Sequence, residues 1–253
     1  MLAAERHRRM TEALRVSRIV STEEFSRLLG VSPETVRRDL VALERTGVLV
    51  RVHGGATIDT DTVGEEAPFA ERSAERHETK SRIGKLAAEQ VFPGQTLIFD
   101  VGTTVLEVAR ALPNSFRGTV ATCSLLVAAE LAGRTGVEVL VSGGRVRGGD
   151  LACSNHQALE FFSNIRADVA FLGSGGLDAD AGLTDFHIDE AATRKTILAG
   201  TAKSYVLADA TKFGRVAPHR VCGFDRVEAV ITDQCPPDRI RDAIESAGAS
   251  ALF

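Results

Sequence analysis

The stretch from Ile19 to Ala56, IVSTEEFSRLLGVSPETVRRDLVALERTGVLVRVHGGA, constrains this chain more than any other. Ser21 is followed three residues later by Glu24, the spacing at which each side chain satisfies a free backbone N–H at a helix start. The spacing predicts a helix from Thr22 to Leu29. Gly30 ends it, and Ser32-Pro33 opens the next, with Ser32 as N-cap and Pro33 at the first helical position, where a missing N–H costs nothing. Only about three residues separate the two helices, as in a helix-turn-helix.

In the second helix Val36, Leu40 and Leu43 fall at i, i+4 and i+7 and form one inward stripe. Glu34, Arg38 and Arg45 then point the opposite way, with Thr35 and Arg37 on the flanks. Ser32, Glu34, Thr35, Arg37 and Arg38 are the candidate DNA-contacting residues, since a recognition helix reads bases from its first turns. The planar fork of arginine suits guanine O6 and N7 or a phosphate. Val48 to Val52 has strand character and runs into His53-Gly54-Gly55. This is the expected wing, with Arg51 and His53 near the phosphates. Asp39 lies nearer the buried side, where an ion pair that fixes the helix fits better than a base contact. The plain alternative is a small helical subdomain with a solvated charged face.

The rest of the 253 residues suffices for one larger domain with its own core. Net charge is -4, but it is uneven: residues 1–56 carry ten arginines against seven carboxylates, a net +3, and the remainder carries -7. A mildly basic head on an acidic body fits local DNA contact rather than general polyanion affinity. No apolar run is long enough to span a bilayer and the N-terminus has no signal-peptide stretch, so a cytoplasmic protein without a membrane partner is expected. Cys123, Cys153, Cys222 and Cys235 are scattered without CxxC spacing, which suggests reduced thiols, no metal and no cofactor.

Residues 3–17 should form a supporting helix through Met10 and Leu14. Its Arg6, Arg8 and Arg9 suit either phosphate contact or a solvated face. Residues 58–79 are polar and acidic and read as a linker, helical from Phe69 onward. From Lys80 to Phe253 strands and helices alternate. Helices are expected over Ser81–Val91, Thr104–Ala111, Leu125–Leu131, Gln157–Phe162, Ile188–Ala199 and Pro237–Ser246. Strands are expected over Thr96–Phe99, Thr119–Thr122, Val137–Val141, Val169–Leu172, Tyr205–Ala208 and Ala229–Thr232. Continuous apolar strands between helices imply a parallel sheet covered on both faces. The fold class is therefore α/β, a Rossmann-like mostly parallel sheet domain (80–253) preceded by a small α+β winged helix-turn-helix (1–57).

In such sheets ligands bind beyond the carboxyl ends of the strands. After the first strand comes Asp100-Val101-Gly102-Thr103-Thr104, where hydroxyls and the free N–H groups of a helix start suit a phosphate. Thr122-Cys123-Ser124 and Gly173-Ser174-Gly175-Gly176 follow the next strands. Asp178 stands where a GxGxxG would need its third glycine, and no GxxxxGK[ST] occurs, so neither a dinucleotide fold nor a P-loop is indicated. Several anion-friendly turns on one edge favour a small phosphorylated ligand, with Asp100 accepting from its sugar hydroxyls.

The run VSPETVRRDLVALERTGVLVRVHGGA is similar to the N-terminal signature of the DeoR family of bacterial transcriptional regulators, and the likeness spans nearly the whole chain. The resemblance implies a C-terminal sensor similar in fold to ribose-5-phosphate isomerase that binds phosphorylated sugars. Asp100, Gly102, Thr103, Thr104, Thr122, Ser124, Gly173, Arg194 and Lys212 would line its pocket. Phe69 and Arg72 resemble positions where the family joins linker to sensor. Two residues depart from the family pattern. Cys123 replaces an asparagine amide, and Arg194 replaces a lysine four residues after Glu190; arginine can hold a phosphate but cannot shuttle a proton. Taken without the family, Glu190 and Arg194 read as a surface i, i+4 ion pair.

The expectation is a repressor of a sugar-catabolic operon, not an enzyme. It would bind double-stranded operator DNA as a dimer or tetramer, because one head makes too few contacts for tight specific binding. Two alternatives stay open. One is a sugar-phosphate isomerase with a DNA-binding appendage, using Glu190 as base and Asp100 as orienting carboxylate. The other is a DNA-binding protein whose second domain only oligomerises.

Overall fold

A computed structural model describes residues 2–17, 19–45, 49–52, 54–57 and 66–253, and of Ala4, Arg15, Val16, Arg45 and Val50 the backbone only. The chain divides into two compact units, Met1–Val63 and Gly64–Phe253.

The first unit runs α1 (Ala3–Ser17), β1 (Ile19–Ser21), α2 (Thr22–Leu29), α3 (Pro33–Arg45), β2 (Val50–Val52) and β3 (Gly55–Thr57). The expected capping box starts α2: Ser21 Oγ accepts from Glu24 N at 3.2 Å and Glu24 Oε2 accepts from Ser21 N at 2.8 Å. Gly30 ends the helix in the left-handed conformation, φ +64°. Val36, Leu40 and Leu43 are buried against Met10, Leu14, Phe25 and Leu29, so the inward stripe is the core of this unit. Side chains of this size, fully buried, contribute about 1.5–3 kcal/mol each.

Two strands in this unit were not expected. β1, β3 and β2 form an antiparallel sheet in that order. At three residues each, β1 and β3 are too short to show a period. Gly55 permits their pairing, because a Cβ there would lie 2.3 Å from the Val20 carbonyl oxygen. Val48 and His53 of the expected wing lie outside the described residues, as does the Arg45 side chain.

The second unit begins with α4 (Phe69–Ala74) and α5 (His77–Ala88). Residues 66–79 of the expected linker thus belong to this unit, and the helix expected from Ser81 starts four residues earlier. Then follow β4 (Thr96–Phe99), α6 (Thr103–Ala111), β5 (Gly118–Thr122), α7 (Leu125–Leu131), β6 (Val137–Val141), β7 (Arg145–Val146), β8 (Cys153–Ser154), α8 (His156–Ser163) and β9 (Ala167–Leu172). The chain continues through β10 (Gly176–Asp178), β11 (Gly182–Asp185), α9 (Ile188–Gly200), β12 (Thr201–Leu207), β13 (His219–Cys222), β14 (Ala229–Ile231), α10 (Asp238–Ser246) and β15 (Ser250–Leu252).

Seven strands form one parallel sheet in the order β15-β14-β12-β9-β4-β5-β6. The central strands β4 and β9 end in apolar runs, residues 97–99 and 169–172, because both faces of the sheet are covered there. Leu97, Phe99, Val169 and Phe171 enter one hydrophobic cluster, while Ile98, Ala170 and Leu172 enter the other. Since all seven strands are parallel, Asp100, Thr122, Gly173 and the 208–212 turn emerge on one edge. A small antiparallel sheet, β10-β11-β13, lies beside it and carries Asp185. Its strands, like β7, β8 and β15, have four residues or fewer and were not anticipated. Among the described residues no helix is long and apolar enough to cross a membrane.

Candidate functional site

On α3 the face opposite the buried stripe is open. The Arg38 side chain is 81% exposed and Arg37 56%, and Glu34 between them pairs with Arg37 at 3.3 Å and Arg38 at 3.9 Å. Exposed pairs of this kind contribute well under about 1 kcal/mol, so both guanidiniums can leave Glu34 for a polyanion. Ser32 and Thr35 are occupied at the helix start: Ser32 Oγ accepts from Thr35 N at 3.3 Å and lies 3.0 Å from Thr35 Oγ1. Arg51 on β2 faces Glu44 at 3.9 Å. His53 lies outside the described residues.

Asp39 forms the expected ion pair, with partners from α1. Arg6 Nε donates to it at 2.6 Å and His7 Nε2 lies 3.0 Å away. Burial pushes the Asp39 carboxyl up, but Arg6 and His7 outweigh it and hold the pKa below the ordinary value. Arg6 therefore clamps α1 to α3 rather than standing ready for phosphate, and Arg8 pairs with Glu5 and Glu12 along α1.

The nine residues expected to ring a ligand pocket separate into three groups. The first is a cradle. Gly102 precedes α6 with φ +144°, a conformation side chains rarely adopt. A Cβ there would come no closer than 3.7 Å to any neighbour, so conformation rather than close approach demands glycine. No side chain caps α6, leaving its first N–H groups without intrahelical partners. Among the described residues the Thr103 and Thr104 hydroxyls have no hydrogen-bond partner in the chain, and both reach solvent, since no unpartnered side-chain oxygen is buried.

The second group is a buried ionic cage. Arg194 on α9 is only 2% exposed and, among the described residues, ranks first by volume of the fully buried side chains. Its Nε donates to Asp100 Oδ2 at 2.5 Å, Nη2 to Glu190 Oε2 at 3.0 Å, and Nη1 to Asp185 Oδ2. Glu190 also takes Arg147, which in turn holds Asp150. Asp100, with no exposure, accepts the Gly173 N–H at 3.0 Å as well, and the Cys123 thiol lies 3.9 Å from its other oxygen. Gly173 must be glycine because a Cβ would lie 2.7 Å from the Val101 carbonyl.

The cage corrects three expectations. Arg194 and Glu190 are not a surface pair, and Arg194 is committed to three carboxylates rather than open to a phosphate. Asp100 likewise has its oxygens engaged and is closed to sugar hydroxyls. Thr122 and Ser124 also work internally: Thr122 Oγ1 accepts from Ser124 N at 3.0 Å, and Ser124 Oγ caps α7 by accepting from Val127 N at 3.3 Å.

Two guanidiniums here face four carboxylates. Burial, reinforced by Asp185 and Asp100, pushes the Glu190 carboxyl up to about 7, against the opposing pull of Arg194 and Arg147. Although burial also pushes Asp185 up, Arg194 and the His187 N–H hold it below its ordinary value. The upward shift of Glu190 is the direction expected where buried carboxylates outnumber the guanidiniums.

The third group surrounds Lys212, which ends a 3-10 turn (Ala210–Lys212) capped by Asp209, whose Oδ1 accepts from Thr211 N at 2.9 Å. Among the described residues no hydrogen bond or ion pair closes on the Lys212 ammonium. Burial, with nearby Arg215 and Arg72, lowers its pKa to about 8 despite the charges of Glu66 and Asp209. Glu66 pairs with Arg72 at 2.9 Å and faces His187 at 3.7 Å, and Arg76 reaches Asp209 at 3.4 Å. The Lys80 ammonium caps the end of α4 through the Glu75 carbonyl at 2.8 Å and the Arg72 carbonyl. Sequence reasoning missed these linker residues: in a polar, acidic stretch they resemble solubilising charge. Only Arg72 carried a signal, through the family likeness.

Residues 6–62 match the family described as DeoR-like helix-turn-helix domain, and residues 75–234 match the DeoR C terminal sensor domain. The chain is 35% identical over 237 residues to the glycerol-3-phosphate regulon repressor of Escherichia coli, covering 94% of this chain and 93% of that protein. It is 36% identical over 254 residues to the HTH-type transcriptional regulator GlpR of Haloferax volcanii, covering 100% and 98%. A ribose 5-phosphate isomerase A from Methanocaldococcus jannaschii aligns with a TM-score of 0.42 at 14% identity over 56% of each chain.

Proposed function

Since the chain belongs to the DeoR family of transcriptional regulators, we propose that it represses a sugar- or polyol-catabolic operon and responds to a small phosphate monoester bound by its parallel-sheet unit. It is a regulator rather than an enzyme, as relatives that align along nearly its whole length are named repressors and regulators. Glu190, the base that the isomerase reading would use, is held by Arg194 and Arg147.

One observation supports the effector reading above all: half-buried Lys212, whose ammonium has no partner among the described residues, stands on the same sheet edge as the uncapped start of α6. A partly desolvated ammonium with no partner of its own suits an anion, and a phosphate monoester would pair with it while accepting from the free N–H and hydroxyl groups of Thr103 and Thr104. The effector is thus bound by Gly102, Thr103, Thr104 and Lys212, with the Asp100–Arg194 cage as the rigid frame behind them. In the first unit, Arg37 and Arg38 on α3 read operator DNA and Arg51 on the wing touches its backbone. Two heads on a symmetric oligomer, built through the sheet unit, read paired half-sites.

Glycerol 3-phosphate is the first probe, since a relative is named a glycerol-3-phosphate regulon repressor. Calorimetric titration of the full chain should give saturable binding by this compound or another polyol or sugar phosphate, and none by the unphosphorylated alcohols. Lys212→Met should abolish it. A protein that binds operator DNA but no phosphate monoester would refute the sensor assignment.

A further inference from the structure

The Lys212 neighbourhood already contains an anion, supplied by the segment that follows the first unit. The Glu66 side chain is only 13% exposed, although it sits in an irregular stretch ahead of a six-residue helix that buries no residue of its own. One carboxylate oxygen lies 2.9 Å from Arg72 Nη1 and the other 3.7 Å from His187 Nε2. Its charge also acts on Lys212 without pairing directly with it. Arg72 completes a clamp, because its Nε donates to the Ala67 carbonyl at 2.9 Å and so holds the backbone next to Glu66. Downstream the segment is tied at Arg76, which adopts φ +54° and reaches Asp209.

A single carboxylate thus pairs with the Arg72 guanidinium, faces the His187 imidazole and acts at longer range on the Lys212 ammonium. A phosphate monoester brings about -1.5 to -2 charge and three acceptor oxygens, and so suits Lys212 and His187 better than Glu66 does, while Arg72 leaves with Glu66. It cannot share the site with Glu66, because two anions held this close repel strongly. We propose that Glu66 is a built-in counter-ion that keeps the phosphate subsite closed, and that a bound phosphate monoester expels it and releases the segment from Glu66 to Arg76. This rests on the assignment of Lys212 to the effector site. It adds how occupancy is communicated: the latch lies on the chain that leads to the DNA-binding unit, so whatever favours release of that segment also favours the anion, and the reverse.

The test is calorimetric titration of glycerol 3-phosphate and of inorganic phosphate into the full chain, as wild type, Glu66→Gln and Lys212→Met. Glu66→Gln keeps the side chain's size and removes the competing charge, so it should tighten phosphate binding by about tenfold, the equivalent of 1.4 kcal/mol. Tryptic cleavage after Arg72 supplies a second readout. It should accelerate when wild type is saturated with phosphate, and should already be fast in ligand-free Glu66→Gln. Thermal melting checks that this variant is folded, and Glu66→Asp, which keeps the charge, should remain close to wild type. If Lys212→Met abolishes binding while Glu66→Gln binds no more tightly than wild type, the site stands and the latch is refuted. If neither wild type nor Glu66→Gln binds either probe, the effector assignment itself falls, and the latch with it.

Discussion

Replacing Glu190 by glutamine should remove a pH dependence that the native protein cannot otherwise escape. The carboxyl is buried and lifted from its ordinary 4.5 to about 7. Between those values the native state holds a proton that the unfolded chain releases. The associated stability is therefore complete below about pH 4.5 and is lost as pH rises through 7. At about 1.36 kcal/mol per pH unit the loss reaches roughly 3 kcal/mol by pH 8. This is an upper bound, since Glu190, Asp185 and Arg194 titrate as one set. Glutamine keeps the shape and one acceptor oxygen but does not titrate. Urea unfolding at pH 5, 6, 7 and 8 with a common m-value measures the difference. Wild type should lose stability relative to Glu190→Gln across that range, by about 2–3 kcal/mol in total. Parallel pH profiles for the two proteins would refute the argument that the cage carries excess negative charge relieved by protonating Glu190.

Three further outcomes are expected. Arg194→Met leaves Asp100, Asp185 and Glu190 buried around an apolar side chain and should cost about 3–5 kcal/mol in urea unfolding; a loss under about 1 kcal/mol would mean the cage is far wetter than its burial implies. Phosphate affinity should be flat from pH 7 to 8 and fall about tenfold per unit above that, because Lys212, with a pKa near 8, must be protonated to bind; calorimetry across pH 7–10 checks this, and Lys212→Met should bind too weakly to show the effect. Arg38→Ala should weaken operator binding by about 1–3 kcal/mol per half-site without changing phosphate affinity, while Thr103→Ala with Thr104→Ala should do the converse; equal effects on both would contradict a division of labour between the two units.

The helix-turn-helix was legible residue by residue because its signals are local. A capping box, a proline at a helix start, a left-handed glycine and an i, i+4, i+7 stripe are each read within a few residues. Even the inward lean of Asp39 followed from helical geometry, although its partner Arg6 lies 33 positions away and was read as either a phosphate contact or part of a solvated face. In the second unit the long strands were legible from their apolar runs. The pairings among short strands were not, since three or four residues carry no period. The cage was misread for a similar reason. Helix α9 buries Glu190, Thr193 and Arg194 together with Ala191, Ile197 and Leu198, so it has no apolar stripe to reveal which side faces inward.

Sequence alone determined the two-part organisation, the exposed arginines of α3 and the small polar turns at strand ends, because each follows from neighbours along the chain. Only the tertiary structure decided which charged groups are free. Arg194 is neutralised by Asp100 from 94 positions away, whereas Lys212 is left with no direct partner and with Glu66 nearby. Spacing can place a side chain on a face, but whether its charge is spent depends on which distant segments folding brings against it.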